Sequence, residues 1–428
     1  MELQVCKGGG RMNSQKRKFV TTIDESKEHR TLCLDEIHED LLERVLAWLP
    51  TSTFFRASSV CKRWKLLANS STFKSACSRV PSRNPWYFMV NSQSNLFNQQ
   101  HCIVFDSEEN NWKKLNHNLP MQNSSCSDFL PVASSGGLLC FKNAFGEFIV
   151  TNPINGNFRQ ISALDSDQET ENLLAIAMVP VAIDSSYKLV SVSGEFQELS
   201  LRVYSSRSQL WEEEVTLRRN NHTTFGTSKD HDGDEESSEY FLSKWGNVVS
   251  PNLQRSPCKR YSSVIVEKGG EEIMYFLNST GKIIRCNLTN SCYDEYPRLL
   301  PINYEYSIDL VQCGGEMMVI LLSEFLESAS LKVWSLDEKS HSWQQVAMMP
   351  PSMSQEFYSK KVDINCTAST GGDQIFVCLS SHDEVYRYYL CNLSDNNWVE
   401  LSPSCVDDKR DREFVCAFAF EPRIEAEV

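Results

Sequence analysis

Positive charge is in short supply, for 42 Lys and Arg against 56 Asp and Glu leave this 428-residue chain at a formal net charge of -14. That balance repels phosphate backbones and anionic bilayer surfaces unless the basic residues are segregated on one face. Nucleic acid and membrane are therefore not expected partners, and a protein partner is. No apolar run approaches the roughly 20 residues of a membrane span, and none near Met1 has the form of a signal peptide. CxxC pairs are missing as well. The 16 cysteines are scattered from Cys6 to Cys416, several of them inside apolar runs, as Cys140, Cys378 and Cys416 are. They read as small buried hydrophobes of a reducing compartment rather than as a disulfide scaffold. The expected location is nucleus and/or cytoplasm, where the sequons at Asn123 and Asn287 are chance matches.

What the chain does have is ordinary globular usage, 41% hydrophobic and 23% charged residues, so a sizeable core can form. Residues 1–31 are the exception: polar, without a hydrophobic period, and expected to be a disordered tail. The basic run Lys16-Arg17-Lys18 inside them is too short to establish an import signal. In residues 32–78 the pattern turns helical. Leu41, Leu42, Val45, Leu46 and Leu49 recur at the offsets of one helical face, with Glu39, Asp40 and Glu43 at the end where the helix dipole favours negative charge. Pro50 stops this helix. A second stretch, through Phe54, Phe55, Ala57, Val60, Trp64, Leu67 and Ala68, runs to Ser70 with a break expected near Ser58-Ser59. A unit this small usually needs a partner to cover its apolar faces.

Over residues 84–425 short strands alternate with turns, and the text repeats. Gly-Gly pairs at 136–137, 269–270, 314–315 and 371–372 each precede an apolar run. Six strand-turn units end on an aromatic: Trp112, Phe158, Trp211, Tyr293, Trp343 and Trp398. Four of the five intervals between them lie near 50 residues, the period of a kelch-type propeller blade, in which large aromatics are buried between neighbouring blades. The competing reading is a β-sandwich with coincidental glycine turns. The long interval, from Trp211 to Tyr293, carries a polar insertion over 218–250. Its Asp230, Asp232 and Asp234 miss the calcium-loop register, because Glu235 and Phe241 stand where Gly and Glu are needed. The fold class expected is mainly β with a small all-α N-terminal domain, the helices being followed by a propeller of six blades. REFVCAFAF, ending at Phe420, is expected to close the ring by pairing with PWYFMV at Pro85–Val90.

The segment IHEDLLERVLAWLPTSTFFRASSVCKRWKLLANSSTF resembles the F-box, with LLERVLAWLP and VCKRW at the family's spacing. Followed by kelch-like repeats, the whole chain resembles the plant F-box/kelch-repeat proteins. The resemblance implies a substrate-recognition subunit of an SCF-type ubiquitin ligase: F-box helices on a Skp-type adaptor, and through it the cullin and the RING subunit, with the propeller holding a protein target. It implies adaptor contacts at Ile37, Leu41, Leu46, Leu49, Pro50, Val60, Cys61 and Trp64. One departure stands out, because the family's opening Leu-Pro is Ile37-His38 here. Target identity is not readable. Candidate target loops are 91–100, 165–172, 218–239 and 303–306.

Chemistry within the chain is not expected. Copper, as in the kelch relative galactose oxidase, would need converging His or Tyr ligands, yet the eight histidines include no close pair. No nucleophile elbow, P-loop or HExxH string occurs. Tyr386, Tyr388 and Tyr389 are explained in part by strand alternation. No metal, cofactor or catalytic residue is therefore assigned, and the chain would supply proximity to a recruited enzyme. The alternatives are a kelch scaffold or interaction module outside any ligase and, more remotely, a propeller oxidase.

Overall fold

From Trp86 onward the chain is a run of antiparallel meanders, as expected of segments rich in β-branched and aromatic residues and punctuated by turn residues. The computed structural model describes residues 4–5, 37–91, 102–115, 129–163, 173–181, 186–195, 198–220, 241–242, 248–249, 261–278, 282–296, 306–337, 342–369, 371–381, 386–402 and 414–428. Among them six sheets form the blades, each with strands a to d from the centre outward. Blade 1 takes strand a from Phe414–Phe420, then Trp86–Asn91, Cys102–Asp106 and Asn111–Leu115, with Gln4–Val5 added outside. Blade 2 is Leu130–Ser135, Leu138–Lys142, Phe148–Thr151 and Phe158–Ile161. Blade 3 is Leu173–Val181, Ser186–Glu195 and Glu198–Ser205, with Leu210–Trp211 and Val215–Thr216 sharing the outer position. Blade 4 is Ser263–Lys268, Glu271–Leu277, Ile283–Asn287 and Cys292–Glu295. Blade 5 is Tyr306–Cys313, Glu316–Phe325, Ser328–Asp337 and Ser342–Met348. Blade 6 is Asp363–Ala368, Gln374–Ser380, Tyr386–Asn392 and Asn397–Glu400.

Consecutive a strands touch all the way round, blade 6 meeting blade 1 and blade 1 meeting blade 2. They line a central cavity of about 550 Å3. Buried and half-buried polar side chains tie these strands across the blade boundaries. Ser263 Oγ donates to the Ile176 carbonyl at 2.6 Å, and Ser262 Oγ donates to Asp309. Asp309 in turn accepts from the Cys366 N–H at 2.6 Å, and Thr367 Oγ1 accepts from that of Ala419 at 3.0 Å. Each such bond satisfies a group that would be costly to bury alone.

The ring closes as expected. Phe414–Phe420 is buried along its whole length and pairs antiparallel with strand b of blade 1, Trp86 opposite Phe420 and Phe88 opposite Phe418. The six repeat aromatics all fall on strand d of successive blades. Trp112, Tyr293 and Trp398 are buried, and Trp211 and Trp343 are half-buried. Each packs toward the preceding blade: Trp112 lies 5.8 Å from Tyr388, Trp211 5.8 Å from Phe148, and Trp343 6.5 Å from Tyr296. Phe158 departs from this pattern and is 51% exposed. Its turn delivers Ile154 into the core instead, so the aromatic has no slot to fill. The insertion is not purely loop: Arg218–Arg219 pairs parallel with Cys292–Tyr293, and Phe241–Leu242 pairs with Val248–Val249. Asp230, Asp232 and Asp234 lie outside the described residues.

The helical segment gives α1 (Glu39–Ala47), α2 (Thr51–Ser58), α3 (Lys62–Leu67) and α4 (Ser71–Ser78). Pro50 caps the start of α2, where its fixed φ suits the entry to a helix. The expected break falls between Ser58 and Lys62. Ser70 caps α4 by accepting from the Phe73 N–H, and its hydroxyl also donates to the buried Glu43, joining α1 to α4.

These helices do not form a separate body. Leu42, Leu46, Phe54, Leu67 and Phe73 share one apolar core with Trp86, Phe88, Phe141 and Phe420 of blades 1 and 2. Beside it lies a fully buried ammonium, that of Lys113 on strand d of blade 1. It donates to Ser52 of α2, to Asp106, and to Glu109 at 2.8 Å, and sits 5.3 Å above the Trp86 ring. Glu109 also pairs with Arg56 of α2 at 2.6 Å. Burial pushes the Glu109 carboxyl up, but hydrogen bonds and charge from Arg56 and Lys113 together outweigh it and hold the group below its ordinary value of 4.5.

Two outcomes follow from this arrangement. Lys113→Met strands the Asp106 carboxylate in the core, and the cost should be about 3–5 kcal/mol, read from urea unfolding. Because the folded-state pKa of Glu109 is depressed, its stabilisation is complete above about 4.5 and is lost as pH falls through the lower folded value. Glu109→Gln should therefore flatten the acid limb of the stability profile below pH 4.5, and an unchanged acid limb would show the pairing to be idle. Ring closure carries a third expectation: truncation after Pro403 removes the innermost strand of blade 1, exposes a paired edge and should abolish the cooperative thermal transition. A soluble truncation with an intact melting curve would contradict closure by this strand.

Candidate functional site

Helix α1 carries apolar residues in two parallel rows, each at i, i+4 and i+7 spacing, and the rows lie about 100° apart on the helix. Leu42, Leu46 and Leu49 form the inward row; Leu42 and Leu46 are buried and Leu49 packs on the margin of the shared core. Leu41, Val45 and Trp48 form the outward row. With Val60 before α3 and Leu66 within it, these side chains are 56–73% exposed. Five large apolar side chains are thus exposed on a unit of four short helices, apolar area that its own core does not cover.

The residues implied by the family resemblance therefore divide. Leu41, Val60 and Cys61 are exposed and available to a partner. Ile37, Leu49, Pro50 and Trp64 are partly buried, and Ile37, Leu49 and Trp64 pack against the core margin. Leu46 is 3% exposed and lies in the core shared by helices and propeller, so its contribution is internal. Sequence reasoning gave no site role to Val45, Trp48 or Leu66. The signal for the first two was present, since a helix apolar at both 42/46/49 and 41/45/48 has more apolar surface than one core can cover.

The Ile37-His38 departure has a local explanation. His38 holds φ -57°, within the range that proline fixes, and its carbonyl accepts from the N–H groups of Leu41 and Leu42 at 3.1 Å each. The helix entry is thus formed without the ring. Arg63 of α3 reinforces it by donating to the Ile37 carbonyl at 2.9 Å.

A second surface follows from topology. In an antiparallel meander the a–b and c–d turns lie on one rim, and the b–c turns and blade-to-blade connections on the other. The helical unit sits on the first rim: Ser52 and Arg56 meet the c–d turn region of blade 1 at Asp106 and Glu109. All four candidate target loops are b–c or blade-to-blade connections, although the one over 218–239 starts beside strand d of blade 4, the Arg218 N–H donating to the Ser291 carbonyl in the c–d turn at 3.0 Å. Apart from Asn91, Arg218–Asn220 and Tyr306 they lie outside the described residues, but the strand ends of blades 1, 2 and 5 from which they extend belong to the rim away from the helices. Among the described residues no group of three His, Cys, Asp or Glu side chains is gathered as a metal site. Burial pushes the thiols of Cys102, Cys313 and Cys391 up to about 12, which leaves them protonated at neutral pH and ill suited as nucleophiles. Tyr388 is spent on structure, its hydroxyl accepting from the Phe414 N–H at 2.8 Å and anchoring the closing strand.

The F-box domain family matches residues 34–76, the four helices. F-box only protein 13 of Arabidopsis thaliana is 48% identical over 401 residues, covering 92% of this chain and 86% of that protein. F-box only protein 6 of the same plant is 24% identical over 95% of this chain and 78% of its own length. An F-box/kelch-repeat protein of Arabidopsis thaliana is 24% identical over 95% and 96%. With its helical unit, its six blades and these full-length similarities, the chain belongs to the plant F-box proteins that carry a kelch-like propeller.

Proposed function

We propose that the chain is the substrate-recognition subunit of an SCF-type ubiquitin ligase. In this reading the F-box binds a Skp-type adaptor, which brings cullin and RING subunit, and the propeller binds a protein for ubiquitination. An F-box joined to a propeller fits such a receptor in general, and the names of its relatives point to an adaptor role rather than to catalysis. The observation that carries the proposal is the outward row Leu41, Val45 and Trp48, left exposed while Leu42 and Leu46, about 100° round the same helix, are buried in the core shared with the propeller. Ubiquitin transfer would be performed by a recruited enzyme. This chain would supply a raised effective concentration of the target lysine near the donor.

The two rows separate binding from stability. Trp48→Ala removes an exposed aromatic and should leave the melting temperature nearly unchanged. It should weaken a purified Skp-type adaptor by about 2 kcal/mol, roughly thirtyfold, in isothermal titration. Leu46→Ala should do the reverse, costing about 2–5 kcal/mol of stability through a cavity in the shared core. Adaptor affinity that ignores Trp48→Ala combined with Val45→Glu would reject the outward row as the docking surface.

A further inference from the structure

The strand that closes the ring does not end its work at Phe420. Glu421–Val428 turns away from the blade and runs across the junction of F-box, blade 1 and blade 2, and five of its eight residues are hydrogen-bonded to the F-box side or to blade 2. The Glu421 N–H donates to the Gly136 carbonyl at 2.6 Å, in the a–b turn of blade 2. Thr51 Oγ1 of α2 donates to the Pro422 carbonyl at 2.6 Å. Arg423 donates to the Val80 and Pro81 carbonyls, just after α4, at 3.0 and 2.9 Å, and is itself held between Glu421 at 2.7 Å and Glu425 at 3.0 Å. From blade 2, Asn152 donates to the carbonyls of both Arg423 and Ala426 at 2.9 Å, and Asn155 donates to that of Ile424 at 3.1 Å. Ile424 is buried in the core shared by helices and propeller. The chain on the F-box side answers in kind, as Arg83 donates to the Ala47 and Leu49 carbonyls at the end of α1 while its own N–H donates to Glu421 at 3.3 Å.

A glycine marks how closely the segment is seated. A Cβ placed on Gly137 would stand 2.8 Å from that of Ala426 and 2.9 Å from that of Arg423, whereas one placed on Gly269, Gly270, Gly314 or Gly315 in the corresponding turns of blades 4 and 5 would meet nothing within 4 Å. Those four glycines have positive φ to account for them. Gly137 is required by the strap that crosses it.

We propose that Glu421–Val428 is a positioning strap: through Arg423 and the Gly137 seat, it fixes the angle between the F-box and the propeller, and so between the adaptor-binding face and the opposite rim. No hydrogen bond or ion pair joins the strap to the outward residues Leu41, Val45 and Trp48, so it acts on placement and not on adaptor affinity. This deepens the adaptor reading and rests on it for its consequence, but the placement itself can be measured without any adaptor. The full chain would carry bio-orthogonal spin labels at the exposed positions Lys65 of α3 and Glu316 of blade 5, and pulsed dipolar spectroscopy would give their distance distribution. The native chain should show one narrow distance. Arg423→Ala, and independently Gly137→Ala, should at least double its width, while affinity for a purified Skp-type adaptor stays within twofold. Arg423→Lys should restore the narrow distance only in part, because one ammonium cannot copy a fork aimed at two carbonyls. A distribution as narrow as the native one in both variants would overturn the proposal. So would a matched loss of adaptor affinity, which would mean that the strap maintains the F-box fold itself. A native chain that fails to bind adaptor would reject the proposed function and leave the distance result standing.

Discussion

A lysine ammonium with no solvent exposure is tolerable only if its charge is answered on the spot, and Lys113 sets that condition for the whole molecule. Asp106 and Glu109, from the neighbouring strand and turn of blade 1, supply the counter-charge, and Ser52 of α2 supplies a further acceptor. Such a group contributes less to net stability than its geometry suggests, since desolvation offsets much of the attraction. Its larger effect is on specificity. The pose of the F-box on blade 1 is the one that brings Ser52 to Lys113 and Asp106 and Arg56 to Glu109, and a displaced F-box would leave the buried Lys113–Asp106 pair without the Ser52 hydroxyl and Glu109 without Arg56. The apolar core around Phe54, Phe73, Trp86 and Phe420 supplies the driving force, which has no direction, and the buried ion cluster supplies the register.

The same logic explains why the chain ends of the ring meet beneath the F-box. The boundary between blade 1 and its neighbours is where a linear chain must be stitched shut, and an unpaired inner strand there would be an aggregation edge. Closure by Phe414–Phe420 puts Cys416, Phe418 and Phe420 into the same apolar core as Leu42 and Leu46 of α1. Helical unit and propeller are thus mutually dependent. A fragment beginning near Arg79, which sequence division at residues 78 to 84 makes natural, would expose Trp86, Phe88 and Phe420 together.

Much of this was written in the sequence, and what was not has physical reasons. The 50-residue spacing of aromatics located strand d of all six blades, because an outer-strand aromatic pressed against the preceding blade is a recurring packing solution that composition alone reveals. Phe158 defeats the pattern because Ile154 in the turn before it reaches the core first, and no periodicity encodes which of two nearby apolar residues wins a slot. In α1 the helical offsets identified five apolar residues but merged two rows into one face. Residues one position apart differ by about 100°, and only a second packing partner decides which row goes inward. The strap was invisible for a plainer reason: EPRIEAEV has neither apolar period nor turn signature, and its bonds run mainly through carbonyls and to residues some 270 to 370 positions away.

Placing the two surfaces on opposite rims has a consequence for the proposed ligase role. In that role adaptor and target would occupy separate faces, and each would have to be held at a defined distance from the other for a lysine to meet its donor. A flexible tether would give an effective concentration that falls roughly as the −3/2 power of tether length, and it would average over unproductive orientations. Here the tether between α4 and blade 1 is the short run from Arg79 to Pro85, and its backbone carbonyls at Val80 and Pro81 are held by Arg423. Reach and orientation are therefore set by packed protein rather than by linker entropy, and selection of which lysine is modified becomes a property of the rigid body. Under that proposal target choice would fall to connections such as those after Asn91 and Ile161, where length and sequence can change at little cost to a ring whose blades are bonded to one another near its axis.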